Sequence, residues 1–561
     1  MFRNIFLFLS IALAAGLGKA QVAPTAGVLL QQLEQGRVSA LPNKSSLNLL
    51  PLPQPLKQIE GLLVTVTSFR FSGNSLLNNA ELAASVSSFL NRPLNFTELQ
   101  GAVTAVTQAY RQAGWVTRTY LPQQEIKNGV VTIEIVEAVF GVVRTEVRPA
   151  SRIALSRLTP IITNAQSAGA SLSVDKLDRA LLLLDDLPGL AVSGSLVQGE
   201  HERETDLLLK IDNKPIFNGD IGVDNTGTPS TGKQHYNLDS TLNSPFGLGE
   251  LVSANLMHSD GSDYVRLAAS LPLGFDGWRV GANASYLAYR LITPEFASLH
   301  AQGNSVTAGL EATYPLLRSR LKNLYFAANI DNKHFDNAAN AVTTSSYQVN
   351  TLTAGLNGNL FDGIGAGGAN AVMLALVQGR ANLHGSPNAP QDAGSVQTAG
   401  SFTKLKYALS RQQTINADLA FFAALAGQIA DKNLDSSEKF YLGGPGAVRA
   451  YPGGEGGGSD GQLLNLELRA RLPHHFSSTA FYDWGHVTVN HDNAFEGSAS
   501  TNRYSLKGAG LSLGWQGESS LSLKASWARR IGANPNPGVA GMDSDGTLVR
   551  DRFWLQAIYS Y

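Results

Sequence analysis

The sequence predicts a mainly β protein: a C-terminal transmembrane β-barrel of about 16 strands, preceded by two small α+β units and a short N-terminal helix. Three observations carry this. The chain opens like an exported protein, with Arg3 ahead of an apolar run from Ile5 to Leu17. One β-α-α-β-β order occurs twice between residues 62 and 213. Beyond Pro215 helical periodicity vanishes, and short alternating segments run to the C-terminal Tyr561.

Residues 1–20 are a signal peptide. The apolar run falls short of the roughly 20 residues a membrane helix needs, and Gly18 and Ala20 are spaced for cleavage after Ala20, with Lys19 an unusual neighbour of the cut. Within residues 21–37, Val28, Leu29 and Leu33 lie on one side of a short helix ending at Gly36. Residues 38–61 are polar and carry Pro42, Pro51, Pro53 and Pro55, a composition that cannot pack a core. The helix is therefore read as detachable, on a linker.

In residues 62–138, "VTSFRFSGN" alternates like a strand and ends at a turn. "NNAELAASVSSFL" and "FTELQGAVTAVTQAYRQAGW" are amphipathic helices, the second opening at Thr97/Glu98 and closing at Gly114; "VTRTYLP" and "GVVTIEIVEA" are strands. Residues 139–213 repeat the order: "FGVVRTEVR" as a strand, 153–165 and "SVDKLDRALLLLDDLPGL" as helices, then "AVSGSLVQG" and "TDLLLKIDN" as strands.

Residues 214–561 alternate with period two. In "LYFAANIDN", Leu324, Phe326, Ala328 and Ile330 oppose Asn329 and Asp331; in "LLNLELRARL", Leu464, Leu466, Leu468, Ala470 and Leu472 oppose Asn465, Glu467, Arg469 and Arg471. A soluble sandwich also alternates. The export signal, strands of roughly ten residues and the length of the region favour a barrel with a polar lumen. The last segment, "RFWLQAIYSY", sets Phe553, Leu555, Ala557, Tyr559 and Tyr561 on one face, like the C-terminal signature by which outer-membrane barrels are recognised for insertion.

Composition excludes several function classes. A net charge of -1 leaves no electrostatic footprint for nucleic acid. The absence of cysteine excludes a disulfide framework, thiol catalysis and cysteine-ligated metal. "GIGAGG" at 363–368 fits G-x-G-x-x-G but precedes a strand-like run, so it reads as a hairpin turn. "DSDG" at 543–546 has no glutamate at calcium-loop distance and reads as a solvated loop, and His474 and His475 after Pro473 read as exposed. Ten histidines form no H-E-x-x-H, and no G-x-S-x-G occurs. No catalytic, cofactor or metal residue is assigned, and the chain is read as no enzyme.

Two segments stand apart. "GGPGAVRAYPGGEGGGSDG" at 443–461 places Arg449, Glu455 and Asp460 in glycine-rich backbone, which suits either a phosphate cradle or a long surface loop. On a strand, "FYDWG" turns Phe481 and Asp483 to one face and Tyr482 and Trp484 to the other. Outward Tyr and Trp suit a lipid-interface belt, leaving Asp483 in the lumen, where a carboxylate needs water or a cation.

The whole layout resembles the outer-membrane transporters of two-partner secretion, the haemolysin and filamentous-haemagglutinin export family, whose periplasmic repeats are called POTRA domains. "VRAYPGGEGGGSDG" is similar to that family's V-R-G-Y loop motif, "FYDWG" to its F-x-D strand motif and "YPLLRSRLKNLYF" at 314–326 to a familiar barrel segment. Ala450 and Ser459 replace the usual glycines. The resemblance implies a plug helix at 21–37, a linker at 38–61, POTRA 1 at 62–138, POTRA 2 at 139–213 and a 16-stranded barrel at 214–561 whose loop 443–461 folds inward. It implies a latch in which Arg449 pairs with Asp483, with Val448, Tyr451 and Phe481 beside it and Glu455 and Asp460 as secondary contacts. The implied partners are a large haemolysin- or adhesin-like exoprotein with an N-terminal secretion domain, outer-membrane lipid, and barrel assembly machinery and periplasmic chaperones during biogenesis. The implied work is ATP-free export of that exoprotein to the cell surface. A barrel insertase of the same superfamily and a small-solute channel or receptor are the alternatives.

Overall fold

The computed structural model describes residues 23–35, 41, 63–147, 151–498, 500–518, 520–538 and 541–561. The expected signal peptide and nearly all of the linker lie outside these residues. The described chain begins with helix α1 (Ala26–Gln35).

The first α+β unit runs through β1 (Val64–Thr65), β2 (Ser68–Ser72), α2 (Asn79–Ser85), β3 (Pro93–Leu94), α3 (Phe96–Gln112), β4 (Thr117–Tyr120) and β5 (Val130–Glu137). Both long helices begin with reciprocal caps, Asn78 with Glu81 and Asn95 with Glu98, which satisfy backbone donors the first helical turn leaves free. The helix expected to open at Thr97 therefore starts at the Asn95 cap. Leu82, Val86, Ala102, Val106 and Tyr110 pack on Ile133 and Ile135 of the sheet. At the end of β5 the buried Glu137 accepts from the N–H groups of Ser75 (2.7 Å) and Leu76 (2.8 Å), from the Tyr110 hydroxyl (2.9 Å) and from the Ser75 hydroxyl.

The second unit comprises β6 (Val139–Val147), α4 (Leu155–Ala165), α5 (Val174–Asp185), β7 (Leu190–Gln198) and β8 (Glu204–Asn213). The two sheets share one topology: the orders are β2-β5-β4 and β6-β8-β7, with the first strand parallel to the central one and the other antiparallel. The repeated order in the sequence is thus a repeated fold. Backbone bonds Val116 N to Leu172 O (3.2 Å) and Val174 N to Gly114 O (2.9 Å) join the units.

From β9 (Phe217–Asp224) to β24 (Asp551–Ser560), sixteen antiparallel strands close into a barrel. β24 closes on β9 over Gln556–Ser560, and the Asn225 side chain extends the seam by accepting from Leu555 N (2.7 Å) and donating to Phe553 O (2.9 Å). Leu267, Leu310, Ile330, Leu352 and Leu511 point outward and are more than half exposed, an apolar girdle that only lipid can cover at low cost. Among the described residues no helix is long and apolar enough to cross a membrane, so strands must do so. "GIGAGG" turns the chain between β16 (Val342–Asp362) and β17 (Gly368–Asn382), with Gly365 and Gly367 at positive φ. His474 and His475 lie in an exposed turn.

The second unit is tied to one rim of the barrel. At the turn between β14 (Gln302–Arg318) and β15 (Lys322–Ala339), Arg318 makes a bidentate pair with Asp186 (2.8 Å for each bond) and Arg320 reaches Asp178 (2.6 Å). The segment "YPLLRSRLKNLYF" therefore carries the joint to the repeats. The long loop 431–459, between β19 (Leu419–Ala430) and β20 (Asp460–Arg471), starts from the opposite rim.

Candidate functional site: the inward loop and the lumen

Loop 431–459 folds back into the barrel. Its fold depends on glycine where the chain passes the wall: a Cβ on Gly458 would lie 2.2 Å from Val487 Cγ2 and 2.4 Å from Thr488 O, and Gly454 sits at φ +79°. Ala450 needs no such freedom, because its φ is not positive and it packs where Gly508 of β22 (Arg503–Gln516) leaves room. Ser459, at the other departure from the family pattern, accepts from Leu434 N (3.0 Å), and its own N–H donates to Val489 O (3.1 Å).

β21 (Phe476–Thr488) turns Phe481, Asp483, Gly485 and Val487 inward and Tyr482, Trp484 and His486 outward. Asp483 has no exposed surface and Arg449 is 7% exposed. The Asp483 carboxylate accepts from Arg449 Nε (2.9 Å), Arg449 NH2 (2.7 Å), the Arg449 backbone N–H (3.0 Å) and Asn465 Nδ2 (2.8 Å). The remaining guanidinium nitrogen donates to Glu467 Oε1 (2.8 Å), and the guanidinium stacks 3.5 Å from the Phe481 ring centroid. Such a forked, fully hydrogen-bonded pair is the form in which a buried charge is tolerated.

The other expected residues fall around this pair. Val448 is fully buried against Gly485, and Tyr451 is buried beneath the Arg530 guanidinium, 4.4 Å from its ring. Glu455 does not reach Arg449. It accepts from Asn534 Nδ2 (2.8 Å) and Ser544 N (2.7 Å), tying the loop tip to the connection between β23 (Leu521–Arg530) and β24. Asp460 opens β20, accepts from Ala430 N (2.7 Å) and faces His491 (3.2 Å).

Sequence reasoning missed several partners. Alternation alone sets Asn465 and Glu467 on the polar face of their strand; in the structure they stand in register with Asp483 and Phe481 on the neighbouring strand and serve the Arg449 cluster. That register is the signal that points to them. Trp554 donates to Arg449 O (2.8 Å). The "DSDG" reading also needs correction: Asp543 and Asp545 are buried, with Asp543 taking Arg530 and Arg552 and Asp545 taking Arg552 (3.0 Å). The arginines lie at the ends of the two flanking strands, so the loop folds over the lumen instead of into solvent.

Helix α1 also lies in the lumen, on the same loop. Ala26 N donates to Asn337 Oδ1 (3.0 Å), Gln31 Nε2 to Lys439 O (3.1 Å), and Gln35 exchanges two bonds with the Tyr441 backbone (2.9 and 3.1 Å). Its buried face is Ala26, Leu29 and Leu30, while the expected Val28 and Leu33 are only half-buried. Beneath it Glu438 accepts from Lys333 (2.9 Å) and Lys404 (2.7 Å).

A closed barrel with an inward, arginine-latched loop behind α+β repeats defines a polypeptide-handling outer-membrane protein of the POTRA-barrel class. Residues 203–517 match the family model "Haemolysin secretion/activation protein ShlB/FhaC/HecB", and residues 64–138 match the ShlB-type POTRA domain. The chain belongs to the haemolysin secretion/activation family. It is 26% identical to the heme/hemopexin transporter protein HuxB of Haemophilus influenzae, with 98% of each chain covered. Its fold is similar to CdiB from Escherichia coli, with TM-score 0.67, 19% identity and 91% of this chain and 93% of that one covered. BamA from Haemophilus ducreyi lacking POTRA domains 1–3 shares the fold at TM-score 0.53 and 16% identity, over 89% of this chain and 100% of that one. The protein is an outer-membrane transporter of two-partner secretion, with its POTRA region in the periplasm.

Proposed function

We propose that this transporter captures a large exoprotein by its N-terminal secretion domain in the periplasm and passes it, unfolded, through a lumen that opens when α1 withdraws while Arg449 and Asp483 hold the loop. The observation that carries this is that α1 and the loop fill one lumen but are held differently: the loop by a buried, forked Arg449–Asp483 pair, the helix by neutral bonds, a small apolar face and one long ion pair, Glu34 to Lys333 (3.9 Å). The outer strands of the two repeat sheets, β2 and β4 in one and β6 and β7 in the other, suit capture of an extended chain by strand addition, which needs no folded ligand. Folding of the exoprotein outside supplies direction without ATP. Assembly machinery reading the outward Phe553, Leu555 and Tyr559 face of β24 is the route into the membrane, and chaperones escort the chain there.

The test is deletion of residues 62–213. Export should cease while the barrel keeps its heat-modifiable migration; continued export would remove the capture role.

A further inference from the structure

On the outer wall, the far rim of β21 and β22 is cationic. The outward face of β22 reads Arg503, Ser505, Lys507, Ala509, Leu511, Leu513 and Trp515 from the far rim toward the periplasm, a polar band about 13 Å deep above an apolar one. Trp484 stands opposite Lys507, His486 opposite Ser505 and Thr488 opposite Arg503. His486 is thereby the diagonal neighbour of both cations, and Arg529 of β23, opposite Ala509, is the diagonal neighbour of Lys507, each about 7–8 Å away.

Charge pairing at this rim is uneven. His258 pairs with Asp263 (2.6 Å), His334 with Asp336 (3.3 Å) and Arg529 with Asp551 (3.7 Å), while the exposed Arg290 and Arg380 stand singly on their strands without an ion pair among the described residues; Arg503 and Lys507 differ in being two such cations on one strand. Among the described residues Arg503 and Lys507 are exposed and enter no ion pair, and nearby Asp460 is taken by Ala430 N and His491. Their height, just above an outward Trp and an apolar band, is that of lipid headgroups in the outer leaflet.

We propose that Arg503 and Lys507, assisted by His486, form a binding site for the phosphate-bearing headgroup of an outer-leaflet glycolipid. The guanidinium and ammonium take phosphate oxygens, while Trp484 and the Leu511 and Leu513 stripe lie against the sugar and acyl chains. The site is on the outside of the wall that carries Asp483 on its inside.

The experiment is native mass spectrometry of the full chain in detergent micelles, titrated with bisphosphorylated lipid A, with the same lipid stripped of phosphate and with inorganic phosphate. The wild type should retain the phosphorylated lipid, and Arg503→Gln/Lys507→Gln should bind it about tenfold or more weakly. Lys322→Gln, an exposed charge at the opposite rim, should leave retention unchanged. Equal retention by the double variant, or equal retention of the stripped lipid, would overturn the proposal. Displacement by inorganic phosphate at comparable concentration would replace the lipid with a free anion and likewise overturn it.

Discussion

The loop and the helix occupy one lumen, yet their attachments belong to different regimes. Asp483 receives four hydrogen bonds from charged or amide donors in a site with no exposed surface, whereas α1 is held mainly by neutral bonds, one each from Ala26 and Gln31 and two at Gln35, with one long ion pair from Glu34 to Lys333 (3.9 Å). A buried ion pair is costly to break because the survivor stays buried. A neutral hydrogen bond contributes only about 0.5–1.5 kcal/mol net, because water takes its place when it opens. The difference supports the proposal that the helix leaves the lumen while the loop stays.

The largest effect should come from Arg449→Ala, which strands Asp483 and releases the loop at a cost of about 3–5 kcal/mol. Export into the medium should fall far more than barrel insertion, and externally added protease should reach residues 443–458. Adding Asp483→Ala removes the stranded charge, so the double variant should be more heat-stable than Arg449→Ala alone; lower stability would break the comparison. Deleting residues 26–35 should come next, raising conductance in planar bilayers with the barrel intact, and unchanged conductance would mean that the helix does not obstruct the pore. Gln35→Ala removes two neutral bonds, about 1–3 kcal/mol together, and should raise the frequency of brief openings without abolishing the closed state.

The smallest effect lies outside the barrel. Burial opposes ionisation of Glu137, yet donors from Ser75, Leu76 and Tyr110 outweigh it and hold the carboxyl below its ordinary range. With the folded value depressed, this stabilisation is complete above the ordinary carboxylate range and is lost as pH falls through the folded value. Protection from hydrogen exchange in residues 68–137, taken relative to the unfolded chain at the same pH, should therefore fall in acid, and Glu137→Gln should flatten that dependence.

Much of this was legible because the signals are local and periodic. Alternation marked the barrel strands, amphipathic helices marked the repeats, and "FYDWG" announced its inward Asp483 by its spacing and the outward Tyr482 and Trp484. What was not legible depends on register between distant segments. Asn465 and Glu467 look like any polar lumen face until β20 is placed beside β21, and Asp543 looks solvated until Arg530 and Arg552 close over it. Likewise the Gln35 contact with Tyr441 joins residues 406 positions apart, and no pattern in either segment contains it.

The chain has no cysteine, so an engineered pair reports cleanly on the helix. A Cβ built on Gly27 lies 3.1 Å from Ser437 Cβ, 2.9 Å from Ser436 Oγ and 3.1 Å from Tyr347 Oη, so once those two hydroxyls give way by a few tenths of an ångström the pair reaches the roughly 3.5–4.5 Å that a disulfide spans. In Gly27→Cys/Ser437→Cys, oxidation should stop export and a reductant should restore it, with the Arg449 latch untouched in both states. Undiminished export through the oxidised, cross-linked protein would contradict the account.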